Sequence, residues 1–127
     1  MRRHFARLLV VAAALASPAI AQDSVEAFYR GKTVNFIIGS NVGGGYDAYA
    51  RLLQRHMGKY IPGNPDIVVR NMPGAGGMQM ANWLYNDAPK DGTTIGLSSR
   101  NTPLEPVLGN AAARFKTERF HWIGTPT

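Results

Sequence analysis

The residues with the clearest capacity for chemistry are glycines in two runs. Gly43-Gly44-Gly45 is followed by Tyr46-Asp47, and Gly74-Ala75-Gly76-Gly77 is preceded by Asn71-Met72-Pro73. Such runs let the backbone come close to a ligand, and the free amides at the start of a following helix favour an anion. Gly43 to Ala48 also satisfies the G-x-G-x-x-A spacing of a dinucleotide site. That site wants an acid at the end of the second strand to hold a ribose, whereas Arg70-Asn71 stand there and Asp66 lies at the strand's start. Gly31-Lys32-Thr33 imitates the end of a phosphate loop, but Glu26 stands where the first glycine should be and no strand precedes it. A third polar group, Ser98-Ser99-Arg100-Asn101-Thr102, follows a later apolar stretch. Arg100 there could clamp a second carboxylate through both arms of its guanidinium.

Other chemistries lack their residues. With no cysteine there is no disulfide framework, thiol nucleophile or cysteine-ligated metal. Of the three histidines, His56 and His121 have no partner at ligand spacing and His4 falls in an N-terminal leader, so no metal site is expected. No Ser–His–Asp set or carboxylate pair suggests an enzyme, and no cofactor is implied. The 127 residues are 45% hydrophobic and 17% charged, which is ordinary for a folded chain.

The elements that must position these residues start after a leader. Arg2, Arg3 and Arg7 precede the apolar run Leu8 to Ala16, Ser17-Pro18 breaks it, and Ala19-Ile20-Ala21 offers small residues to a signal peptidase. This reads as a signal peptide over residues 1–21, cleaved after Ala21. A membrane span would need about 20 apolar residues, many more than this run holds. Without those three arginines the 14 basic residues fall to 11 against 8 acidic ones, a net of +3. The remaining basic residues are scattered among acids and form no stripe, so no nucleic-acid partner is expected.

The mature chain then alternates. Val34 to Ile38 reads as a buried strand. Asp47 to Lys59 reads as an amphipathic helix with Asp47 able to cap its start. Ile67 to Val69 is a second strand, Met80, Trp83 and Leu84 mark a second helix, and Thr93 to Leu97 form a third strand. A weaker helical stretch leads to an expected fourth strand at Phe120 to Ile123. Tyr46, Tyr49 and Trp83 fall at spacings that suit the core. Strands alternating with helices imply an α/β fold with a mainly parallel sheet, whose ligands sit outside the carboxyl ends of the strands.

Phe28-Tyr29-Arg30-Gly31-Lys32-Thr33-Val34, then Gly43-Gly44-Gly45-Tyr46-Asp47, then Asn71-Met72-Pro73-Gly74-Ala75-Gly76-Gly77 and Ala88-Pro89-Lys90-Asp91-Gly92-Thr93-Thr94-Ile95, resemble the solute receptors of tripartite tricarboxylate transporters, the Bug family. The resemblance runs from about Phe28 to Gly124. It implies a periplasmic-binding-protein-like lobe of the Venus-flytrap kind. Such a receptor closes over a small organic carboxylate or amino-acid-like ligand and presents it to membrane transporter subunits from the periplasm.

Carried over, the family's ligand-binding first loop points to Asn41, Gly44 and Gly45 here, with Asp47 at the helix start as a cap or as a partner for an amino group on the ligand. Where the family usually has a Pro-Phe-Pro-Ala-like stretch, this chain has Gly39-Ser40-Asn41-Val42, which adds Ser40 to the expected site. Ser99 and Asn101 complete it from the third strand's end. Asn71 and Gly74 to Gly77 read mainly as a turn that seats the second helix. Two-lobed receptors need about twice the usual domain length, so residues 22–127 are expected to be a partial first lobe from a truncated copy, with the second lobe absent. An exported nucleotide-binding α/β enzyme and a remnant without affinity remain open as other readings.

Overall fold

The computed structural model describes residues 21–126. The expected signal peptide lies almost wholly outside them. Six main elements follow in order: α1 (Ala21–Tyr29), β1 (Thr33–Ile38), α2 (Gly45–Met57), β2 (Asp66–Asn71), α3 (Met78–Asn86) and β3 (Thr94–Leu97). The strands form one parallel sheet in the order β2-β1-β3, with Ile38 opposite Asn71 on one side and Leu97 on the other. The fold is therefore α/β with a parallel sheet, consistent with part of a periplasmic-binding-protein-like lobe.

β1 is central because its residues can be buried on both faces, and Val34, Phe36, Ile37 and Ile38 are all buried. Even-numbered β1 residues join Ala50 and Ile67, with Tyr46, Leu53 and Met57 packed against them, so this face lies under α2. Burying one such aliphatic side chain contributes about 1.5–3 kcal/mol. On the other face, a Cβ on Gly96 would lie 2.6 Å from Leu84 Cδ2 and 3.0 Å from Met80 Sδ, which places α3 directly against β3. Tyr29 ties α1 to the turn before β3 through its hydroxyl, which donates to the Gly92 carbonyl at 3.0 Å.

Three expectations need correction. Phe120 to Ile123 is not a strand. The side chains of α3 hold the preceding segment instead: Asn82 donates to Ala112 O and accepts from Arg114 N, and Asn86 donates to Arg114 O. Phe120 then packs edge-on to Tyr85 and Trp122 and beside Phe115, so ring packing on the helix side replaces a sheet ladder. Between β3 and this segment, the weak helical stretch resolves into turns and short 3₁₀ pieces at Thr102–Leu104 and Thr117–Arg119. Tyr49 is not core. The buried stripe of α2 runs through Tyr46, Ala50, Leu53 and Met57, leaving Tyr49 off its edge and 42% exposed.

Candidate functional site

The carboxyl ends of all three strands open at one edge. The chain leaves β1 for β2 on one side and later crosses to β3 on the other, so the strand order reverses between β1 and β3. Ligands of open parallel sheets bind at such a reversal. Here a cleft of about 330 Å³ occupies it. Gly39, Ser40, Asn41 and Tyr46 form one wall, Leu97 and Ser99 another, and the Pro73–Gly77 turn closes the back.

Two loops make the cleft by nearly touching. A Cβ on Gly39 would stand 3.2 Å from the Gly77 Cα, and Gly77 itself sits at φ +97°. The 3₁₀ turn Ala75–Gly77 leads straight into α3, as the glycine-rich sequence suggested.

The first loop is fastened from behind. Asp47 was expected at the very start of its helix, but α2 begins at Gly45, so Asp47 lies within the first turn and is 3% exposed. Its Oδ2 accepts the Gly43 N–H and Arg51 Nε, both at 2.9 Å, and its Oδ1 accepts Asn71 Nδ2 at 3.0 Å. The bond back to Gly43 is a carboxylate inside the first turn satisfying an amide upstream of it, as half of a capping box does. The same Asn71 amide donates to the Ser40 carbonyl at 3.0 Å, while Arg51 donates to Asn71 Oδ1 at 3.3 Å. Together the Arg51 guanidinium, the Gly43 N–H and the Asn71 amide hold the Asp47 carboxyl well below the usual carboxylate range.

Tyr46 couples the first loop to the third. Its hydroxyl accepts the Arg100 N–H at 3.2 Å, and this bond, with Ser99 beside it, holds the phenol below its ordinary value.

Of the residues singled out from the sequence, Ser40, Asn41 and Ser99 line the cleft. The Ser40 hydroxyl itself is shielded from solvent and meets no partner among the described residues. Gly44 and Gly45 lie exposed at the head of α2, beside the cleft rather than in its wall. Asn101 is exposed and does not line the cleft, and its N–H leans on the Ser99 hydroxyl at 3.4 Å. Three participants escaped the sequence reading. Tyr46 lines the cleft as well as packing on the core, Leu97 supplies its apolar wall, and Arg51 braces Asp47. The four-residue spacing of Asp47 and Arg51 on a helix was the available signal for the last.

A wider depression of about 560 Å³ lies along α2 and the start of β2, lined by Arg51, Arg55, Lys59 and Asp66. It sits at the amino end of the sheet's outer strand rather than at the strands' carboxyl ends, and Gln54 there is spent on the Ile67 carbonyl at 3.0 Å. Among the described residues, no cluster of three or more His, Asp or Glu side chains could share a metal ion. No described helix is long and apolar enough to cross a membrane.

No family model matches the chain. It is 34% identical over 97 residues to the "UPF0065 protein in gbd 5'region" of Cupriavidus necator. The matched stretch covers 74% of this chain but only 29% of that protein, so the chain spans less than a third of the relative's length. The similarity supports a Bug-like protein.

Proposed function

We propose that this chain is the ligand-binding edge of an exported solute receptor. It would capture a small organic carboxylate for a membrane transporter of the tripartite tricarboxylate kind. The observation that carries the reading is the cleft at the β1/β3 reversal, walled by Gly39 to Asn41, by the Pro73–Gly77 turn and by the end of β3. Hydrogen-bonding groups gather around it: the amides of Gly44 and Gly45 at the positive end of α2, the side chain of Asn41, and Ser99 and Asn101 across the opening. Several neutral donors at a helix start hold a carboxylate without a dedicated cation. Asp47, already engaged by three protein donors, supports the loop from beneath.

The sequence adds the compartment. An N-terminal leader ending Ala19-Ile20-Ala21 would send the chain to the periplasm and leave Gln22 as the new N-terminus. The test is calorimetric titration of the protein, in the length its gene encodes, with succinate, malate, citrate and glutamate. Saturable heat with at least one acid is the expected result. No heat with any of them, for a folded protein, would contradict the reading.

A further inference from the structure

We propose that Asn71 and Asp47 are positioning residues that preset the first glycine loop, aiming its amides before any ligand arrives. This rests on the carboxylate-receptor reading above. Asp47, Asn71 and Arg51 form a closed ring in which each side chain is hydrogen-bonded to both others. Two ties run from the ring to the loop backbone. Asn71 holds the Ser40 carbonyl and Asp47 holds the Gly43 amide, gripping the Asn41-Val42 tip from either side.

The geometry shows why two distant residues are needed. Asn71 is the last residue of β2, and its partner across the ladder is Ile38, the last residue of β1. It therefore reaches the loop as the loop leaves the sheet. Asp47 reaches the same loop from the far side, where the chain enters α2. A loop held at both ends keeps its amides aimed, so a ligand does not have to supply the ordering free energy. Burial leaves the Asp47 carboxylate almost no surface of its own to offer a ligand, and its role runs through Gly43 and Asn71. Asn71 also begins the second glycine segment, so one side chain links the two loops that wall the cleft.

The test uses the full chain, with amide hydrogen exchange read by NMR and succinate and glutamate titrated separately. Asn71→Ala should speed exchange at Gly43, Gly44 and Gly45 and weaken succinate binding about tenfold. Gln54→Ala, which removes another side-chain bond between α2 and β2 away from the loop, should leave both readouts unchanged. Asp47→Asn preserves size and should weaken succinate and glutamate by the same factor. A direct contact with an ammonium group would instead cost glutamate alone, and that result overturns the positioning role. Unchanged loop exchange in both Asn71→Ala and Asp47→Asn also overturns it. If Asn71→Ala does not fold, Asp47→Asn decides alone. Should the wild-type chain bind neither acid, the receptor reading fails, while the exchange rates still settle whether these residues set the loop.

Discussion

Gly39 and Gly77 meet backbone to backbone: a Cβ on the first would approach the second's Cα to 3.2 Å, and a Cβ on Gly77 would lie 3.3 Å from the Gly39 carbonyl oxygen. The contact joins the ends of two loops that leave different strands, and it sets how deep the cleft can be. A side chain at either position would have to push the other loop back by a few tenths of an ångström.

That contact separates two neighbouring glycines. Gly76 and Gly77 both have positive φ, at +65° and +97°, but a Cβ on Gly76 meets nothing within 4 Å. Gly76→Ala should cost about 1 kcal/mol, the conformational penalty alone. Gly77→Ala adds the tight contact with the Gly39 carbonyl and should cost about 2–3 kcal/mol. Urea unfolding of both variants measures the difference, and equal losses would show that the loops do not press on each other.

Acid stability follows from Asp47. Its carboxyl is more acidic folded than unfolded, chiefly because of Arg51. The stabilisation is therefore complete above the ordinary carboxylate value of about 3.9 and is lost as the pH falls toward the lower folded value. Thermal midpoints should be flat from pH 5 to 7 and fall below pH 4, and Asp47→Asn should shrink that fall. Asp91, lowered mainly by the Thr93 hydroxyl, leaves a residual acid limb in the variant. An identical acid limb in both proteins would contradict the assignment.

How far these features could be read from the sequence depended on how local they are. Val34 and Phe36 to Ile38 are apolar, with only Asn35 between them, because a central parallel strand is covered on both faces, so its identity and the α/β class were legible. Ser40, Asn41 and Ser99 could be placed near the site because each lies two or three residues beyond a strand's end. The Asp47–Asn71 bond joins residues 24 apart, and no periodicity encodes which side chain at the end of β2 will reach α2. Phe120 to Ile123 had the composition of a strand, yet Asn82 and Asn86 took the preceding backbone first. That outcome needs the tertiary placement of α3, which pattern reading does not contain.

The surface carries its own consequence. Val107 and Leu108 are 80% and 76% exposed, and β3 lies at an edge of the sheet. Exposed apolar side chains and an open strand edge both favour association. Light scattering of residues 22–127 should show apparent mass rising with concentration, and Val107→Glu combined with Leu108→Lys should reduce the rise. A constant monomer mass in the unsubstituted chain would mean that these side chains do not drive association.

Mapping the bound acid by NMR is the most direct test of the central claim, that the loops at the β1/β3 reversal hold a carboxylate. Isotope-labelled chain titrated with succinate should show saturable shifts at Ser40 to Tyr46 and at Ser99. Because the cleft faces water, which competes for each hydrogen bond, the midpoint should be in the millimolar range. Gly44→Val and Gly45→Val, for which the structure leaves space, should abolish the shifts while circular dichroism stays the same. Shifts confined to Arg51, Arg55 and Lys59 along α2, with the strand-end loops unmoved, would contradict the account and place the site in the other depression.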